Sequence, residues 1–162
     1  MSEFKLTREI VDRSSAATWD EARTEWSLHE VYESEEPDTC LCGHNPIIEL
    51  CVLRNRVNGV FATVGNCCVK KFIGLPSDLI FQAGKRVSAD VGKSLNADAV
   101  AHAFDKGWIN EWERDFYTRI MRKRVLSTMQ RAKKEEINSM FVAQMKLTAQ
   151  RAAAAAAPGV AR

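Results

Sequence analysis

The sequence predicts an α+β fold in which a small β-hairpin module lies between N-terminal helices and a C-terminal helical bundle. Two cysteine clusters, Cys40-Leu41-Cys42-Gly43-His44 and Cys67-Cys68, bracket the hairpin. The segment between them is rich in β-branched residues and contains the turn pair Asn58-Gly59. Most of the remaining chain shows the 3.6-residue periodicity of helices.

Helical signals fill most of the first 26 residues. Thr7 is a candidate cap for a short helix, and Thr18 followed by Glu21 forms a capping box. The helix opened by Thr18 would bury Trp19 and Trp26 on one side. A strand is then predicted over 28–32, and an acidic loop over 33–38 leads the chain to the first cysteine cluster.

The hairpin is predicted from two apolar runs, 47–53 and 60–64, because β-branched residues favour strands. Asn58-Gly59 joins them, since both residues tolerate a positive φ. Gly65 ends the second strand, and Asn66 is a plausible cap for a short helix over 67–72.

The second half is predicted to be helical, with caps at Asn96, Asn110 and Ser127. The capping box at Asn110 opens a helix that would bury Trp112 and Phe116. We therefore divide the chain into residues 1–76, with the N-terminal helices and the hairpin module, 77–150, a helical region, and 151–162, a low-complexity alanine-rich tail.

The two cysteine clusters have the composition of a metal site. Thiolate and imidazole ligands suit Zn²⁺, and structural zinc takes four ligands in a tetrahedron. The order of knuckle, hairpin and helix with ligands in its first turn is that of a treble clef. One structural Zn²⁺ is therefore expected on Cys40, Cys42 and Cys68, with His44 as fourth ligand and Cys67 as the alternative.

Other cysteine and histidine chemistry is less favoured by the sequence. Cys51 lies in the middle of an apolar strand and is expected in the core. A catalytic zinc needs an open position and a nearby general base, but neither a deaminase-type His-x-Glu with Pro-Cys-x-x-Cys nor a His-Glu-x-x-His string is present. We therefore expect no enzymatic activity.

Three strings of the chain, 40–44, 54–59 and 64–72, together resemble a module of uncharacterised phage, bacterial and large-virus proteins. Their shared pattern is Cys-x-Cys-Gly…Asn-x-x-x-Gly…Val-Gly-x-x-Cys-x-x-x-Phe. The resemblance is close over about 25–75 and looser over 108–138. It implies a zinc-binding module, often suspected of contacting nucleic acid, and a phage-encoded protein is expected. In that pattern the position of Cys68 recurs, whereas that of Cys67 varies.

Charge is divided along the chain. Residues 1–39 carry 4 Lys/Arg against 11 Asp/Glu, whereas residues 85–162 carry 15 against 8. Basic patches bind phosphates, so DNA or RNA is the expected partner, with Tyr117 or an exposed Trp stacking on bases. The candidate nucleic-acid-binding residues are Arg54, Arg56, Lys70, Lys71, Arg122, Lys123, Arg124, Arg131, Lys133 and Lys134.

The acidic segment 30–38 supports an alternative, in which the protein is an adaptor or an inhibitor that binds a host protein through this segment. No apolar run approaches the roughly 20 residues that span a bilayer, and the start of the chain lacks the build of a secretory signal. An intracellular, cytoplasmic protein with no membrane contact is expected, and in that reducing compartment its cysteines would be ligands or core residues.

Overall fold

The computed structural model describes residues 2–156 and shows an α+β protein with one three-stranded antiparallel sheet in the order β1-β2-β3. Its elements are α1 (Glu3–Asp12), α2 (Trp19–Ala22), a 3₁₀ turn (Arg23–Glu25), β1 (Trp26–Asp38), β2 (Ile47–Asn55), β3 (Phe61–Gly65), α3 (Asn66–Cys68), a π turn (Val69–Ile73), α4 (Ser77–Ala89), α5 (Ala97–Asp105), α6 (Glu111–Ile120) and α7 (Thr128–Ala156).

The chain separates into two compact units. Among the described residues, the first contains 2–78 together with 148–156, and the second contains 79–147. Residues 151–156 of the alanine-rich tail continue α7, while 157–162 lie outside the described residues. In the part that the structure describes, no helix combines the length and the apolar character needed to cross a membrane.

The structure differs from the prediction in where α1 begins and where α2 ends. Ser2, not Thr7, caps α1, its hydroxyl accepting a hydrogen bond from the Lys5 N–H. The helix opened at Thr18 ends after one turn, so the prediction that it reaches Trp26 was wrong. Trp26 instead begins β1, where it is buried and donates its indole N–H to Ser14 Oγ at 2.9 Å. A large aromatic residue suits a helix as well as a strand, so tertiary packing and not local propensity determines the element that Trp26 joins.

The sheet is longer than its sequence signals indicate. β1 continues through the predicted acidic loop to Asp38, which pairs with Ile47 after a register irregularity. Its centre is regular, with Val31 opposite Cys51 and Cys51 opposite Val64. These inward residues are fully buried. A shift of one residue would move them to the other face of the sheet, so their burial sets the register of the strands.

Asn55 organises the hairpin loop, a role that the sequence did not reveal. The side chain is fully buried, and its Oδ1 accepts the backbone N–H groups of Val57 and Asn58 at 2.8 and 3.1 Å. Its Nδ2 donates to Glu25 Oε2 at 2.6 Å. Only Gly59 adopts a positive φ (+74°) in the loop, so the connection is not a two-residue turn. Asn55 thereby joins the loop to the segment before β1.

The caps predicted in the second half are confirmed. Asn96 accepts the Ala99 N–H, and Asn110 and Ser127 form capping boxes with Glu113 and Gln130. The predicted inward face of α6 is only half right: Phe116 is buried, but Trp112 is 58 % exposed. It stacks on Phe116 with ring centroids 5.3 Å apart.

Tyr117 is at the centre of a buried hydrogen-bond network in the second unit. Its hydroxyl donates to Asn138 Oδ1 at 2.6 Å and accepts the Leu95 N–H at 2.8 Å. Asn138 Nδ2 donates in turn to the carbonyl oxygens of Val91 and Lys93, at 2.8 and 2.7 Å. Both side chains are fully buried. The network therefore fixes the α4–α5 loop, and the prediction that Tyr117 stacks on bases is wrong.

Replacing Asn138 with Ala would leave the Tyr117 O–H donor and the carbonyls of Val91 and Lys93 without their protein partner. We expect a loss of roughly 2 to 4 kcal/mol in the free energy of unfolding, because each buried unsatisfied group carries its desolvation penalty. Urea unfolding followed by circular dichroism measures it. Ser139→Ala, at the exposed neighbouring position of α7, is the control and should stay within about 0.5 kcal/mol. Equal stability of the two variants would contradict the network's role.

Candidate metal centre

The first cysteine cluster forms a tight turn. The Cys40 N–H donates to the His44 carbonyl at 2.9 Å, and the Gly43 N–H donates to the Cys40 carbonyl at 2.8 Å. Gly43 has a φ of +88°, a left-handed conformation that a side chain disfavours. A Cβ at this position would also lie 3.2 Å from Lys5 Nζ. The turn leaves Cys40 and Cys42 buried.

The second cluster enters the site from the end of β3. Gly65 closes the strand and is the N-cap of α3, so the predicted cap, Asn66, lies one residue inside the helix. Neighbouring helical residues project about 100° apart. Cys68 is accordingly buried while Cys67 is exposed.

Three sulfur atoms converge where the clusters meet. The Sγ atoms of Cys40, Cys42 and Cys68 all lie within 4.8 Å of one another. In a zinc tetrathiolate with bonds of about 2.3 Å, neighbouring sulfurs would be about 3.8 Å apart. A small contraction of the cluster therefore suffices, and the three cysteines could hold a metal ion. None of the described cysteines forms a disulfide.

Backbone N–H groups are directed at these sulfurs. Gly65 N–H donates to Cys40 Sγ at 3.2 Å, and His44 N–H donates to Cys42 Sγ at 3.4 Å. Donors around sulfur stabilise thiolate rather than thiol, and they accompany metal-bound cysteine as an outer layer of interactions. The donor set thus fits a thiolate-bound metal.

The environment shifts the pKa values of the three clustered thiols in different directions. Burial raises the pKa of Cys40, and burial with the neighbouring Cys42 thiol raises the pKa of Cys68 far above the usual range. Burial acts in the same direction on Cys42, but hydrogen bonds from the His44 backbone and the other thiols outweigh it and lower its pKa. A cation that neutralises the sulfurs would offset the cost of burying them as thiolates.

Both candidates for the fourth ligand line the same cavity but lie outside the sulfur cluster. The cavity has a volume of about 260 Å³, and His44 and Cys67 border it together with the three clustered cysteines. Neither His44 nor Cys67 brings a donor atom within 4.8 Å of all three sulfurs. Both side chains are exposed. The structure thus brings together three of the five predicted ligand candidates and places two at the rim.

A polar chain that the sequence did not reveal runs beside the cavity. Asn66 Nδ2 donates to Glu49 Oε2 at 2.7 Å, and the fully buried Ser77 hydroxyl donates to Asn66 Oδ1 at 2.6 Å. Burial raises the pKa of Cys51 to about 12. Cys51 stays out of the sulfur cluster and is a core residue, as predicted.

The predicted basic residues of the first unit are exposed but engaged with neighbours. Arg56 donates to the Thr24 carbonyl at 2.6 Å, and Lys70 pairs with Asp78 at 3.0 Å. Arg54 and Lys71 lie over the rings of Phe61 and Phe72, at 6.0 and 5.3 Å from the centroids. These contacts occupy one side of each cation and leave the other to solvent.

The basic residues of the second unit fall into two groups. Arg122, Lys123, Arg124 and Arg131 are exposed, and within residues 2–156 none of them forms an ion pair. Lys133 bridges Glu113 and Glu136 at 3.0 Å each. Lys134 is buried and donates to the Gly92 carbonyl at 3.1 Å. The structure thus separates four solvent-facing cations from two that have structural partners.

Comparison with known proteins does not extend this description. No protein-family model, no curated protein and no solved structure matches the chain.

Metal binding should require each of the clustered cysteines. Cys42→Ser and Cys68→Ser each remove one of three converging sulfurs, so we expect stoichiometric binding of added Zn²⁺ to be lost. Cys51→Ser is the matched control, because Cys51 is also buried but does not belong to the sulfur cluster. The metal content of this variant should remain that of the unaltered protein. Elemental analysis after gel filtration measures all three. Loss of metal from the Cys51 variant alone would contradict the assignment.

Proposed function

We propose that Cys40, Cys42 and Cys68 hold one structural Zn²⁺ and that the surrounding knuckle, hairpin and short helix are a treble-clef-like module. The convergence of three buried sulfurs with backbone donors on two of them supports the proposal. Soft thiolate ligands favour zinc over hard cations such as Mg²⁺ or Ca²⁺. The ion would tie the knuckle to α3 across the hairpin, so its binding free energy would add to the stability of the fold.

His44 is the proposed fourth ligand, and Cys67 the alternative. His44 directly follows Gly43 in the turn, and its exposed imidazole can rotate about two side-chain bonds towards the cavity that it lines. Cys67 has a shorter side chain on a helical turn whose next residue is already a ligand. Moving its sulfur into the cluster would require α3 to rotate.

Substituted cobalt distinguishes the two candidates. In protein loaded with Co²⁺, His44→Ala should alter the visible d–d bands and weaken Co²⁺ affinity on the order of tenfold or more, because one of four ligand bonds is lost. Cys67→Ala should leave spectrum and affinity unchanged. The reverse pattern would establish Cys67 as the ligand, and no change in either variant would mean that neither residue completes the site.

We further propose that the protein is a non-enzymatic accessory protein that binds DNA or RNA through the cationic surface of its second unit. The observation that carries this proposal is the group of four solvent-facing cations, Arg122, Lys123, Arg124 and Arg131, which lack ion-pair partners within residues 2–156. Unpaired cations on one stretch of surface attract phosphates and release counterions on binding. The resemblance to phage and large-virus modules is compatible with such a role.

Salt dependence tests this proposal. Binding of a fluorescent oligonucleotide, measured by anisotropy, should weaken steeply as salt rises. The double variant Lys123→Ala/Arg124→Ala should lower affinity and reduce the salt slope by roughly one per phosphate contact removed. Lys146→Ala/Arg151→Ala removes two exposed cations elsewhere on α7 and should change affinity less. Binding that ignores salt, or equal losses in both variants, would contradict the proposed surface.

The acidic segment gives a second candidate function, binding of a host protein. Glu35, Glu36 and Asp38 are exposed on β1, an outer strand of the sheet. Outer strands offer backbone groups for pairing with another chain. An adaptor would retain a protein in a pull-down that is lost in Glu35→Lys/Glu36→Lys and would ignore oligonucleotides at low salt. That combination would favour this function over nucleic-acid binding.

A further inference from the structure

A concave, strongly basic surface lies within the second unit. It encloses about 420 Å³ and is lined by Gly92, Lys123, Arg124, Arg131, Lys134 and Glu135, with one leucine. Four of these side chains are cations and one is a carboxylate. Cations that repel one another are stabilised when an anion binds between them. The lining therefore selects for a negatively charged ligand with several acceptor oxygens and not for an apolar ring.

Lys134 gives this concavity a buried charge. Its side chain is only 6 % exposed, and burial lowers its pKa. Within the described residues, the Gly92 carbonyl is the hydrogen-bond partner of its ammonium group, which carries three N–H donors. The charges of Glu135 and Asp90 act in the opposite direction but do not outweigh burial, so the buried ammonium group is only partly compensated. An anion in the concavity would supply further acceptors for the ammonium group and further negative charge beside it.

The wall that carries Gly92 is held in place before any ligand arrives. Asn138 fixes the carbonyls on both sides of Gly92, those of Val91 and Lys93, and Tyr117 anchors Asn138 and the Leu95 N–H. The Gly92 N–H donates to Asp90 Oδ1 at 2.9 Å. A site whose wall is already ordered loses less conformational entropy on binding. The buried hydrogen-bond network thus orders this wall of the concavity in the absence of a ligand.

We propose that this concavity is a phosphate-binding site in which Lys134 and the guanidinium groups of Arg124 and Arg131 receive a single phosphate group. Guanidinium groups bind phosphate oxygens through paired N–H donors, which makes them specific as well as attractive. The site rests on the proposed nucleic-acid binding, because its phosphate would be one phosphodiester of a bound strand. A free phosphate offers the same oxygens and is the other source to be distinguished.

The decisive comparison uses two double variants with equal changes in charge. Arg124→Gln/Arg131→Gln removes two cations from the concavity, whereas Arg119→Gln/Arg122→Gln removes two exposed cations that do not line it. With a single-stranded dT oligonucleotide in anisotropy, we expect the first variant to lose at least tenfold more affinity than the second. The Gly92 amide resonance of the unaltered protein should shift on adding the oligonucleotide. Equal melting temperatures confirm that both variants fold.

The other outcomes distinguish failure of the phosphate site from failure of the proposed nucleic-acid binding. Equal losses in the two variants, with an unmoved Gly92 resonance, would overturn the phosphate site while leaving nucleic-acid binding by a diffuse surface intact. No oligonucleotide binding, but a Gly92 shift with inorganic phosphate that Arg124→Gln/Arg131→Gln abolishes, would support the phosphate site and overturn the proposed function. If neither probe binds, both proposals fail.

Discussion

The convergence of Cys40, Cys42 and Cys68 is the constraint on which the first unit depends. It joins two ends of a hairpin that are separated by more than twenty residues, and a small hairpin is marginal in water without such support. The three sulfurs are positioned by the knuckle, with Gly43 in a left-handed conformation, and by the backbone N–H groups that donate to sulfur. A metal that holds the sulfurs would stabilise the same contacts that position it, so folding and metal binding would be coupled.

Three buried asparagines connect segments of the chain through side-chain hydrogen bonds. Asn55 closes the hairpin loop, Asn66 links Glu49 to Ser77 beside the cysteine cluster, and Asn138 fixes the loop around Gly92. An amide carries two donors and one acceptor oxygen, so one side chain can pair several groups at once. Asn55 and Asn138 pair backbone groups, whereas Asn66 pairs two side chains. In both units, the irregular segments next to candidate sites are ordered by this chemistry instead of by regular secondary structure.

Much of this architecture is predictable from sequence, and the failures have physical causes. Capping boxes at Asn110 and Ser127 are local, so the sequence predicts them. The three sulfurs were predictable because ligand chemistry restricts which residues can meet. Trp26, Trp112 and Tyr117 were misplaced because an aromatic side chain suits a strand, a helix face or a buried network, and only tertiary packing decides. The interior position of Lys134 was equally hidden, since nothing in its neighbouring sequence indicates that its ammonium group meets the Gly92 carbonyl.

The most direct test of the central claim is X-ray absorption spectroscopy at the zinc edge on protein purified from cells grown without added metal. The account predicts one bound zinc whose nearest shell contains at least three sulfurs at about 2.3 Å, completed by a nitrogen or a fourth sulfur. Protein that is folded and metal-free, or a zinc shell made of oxygen and nitrogen alone, would contradict it.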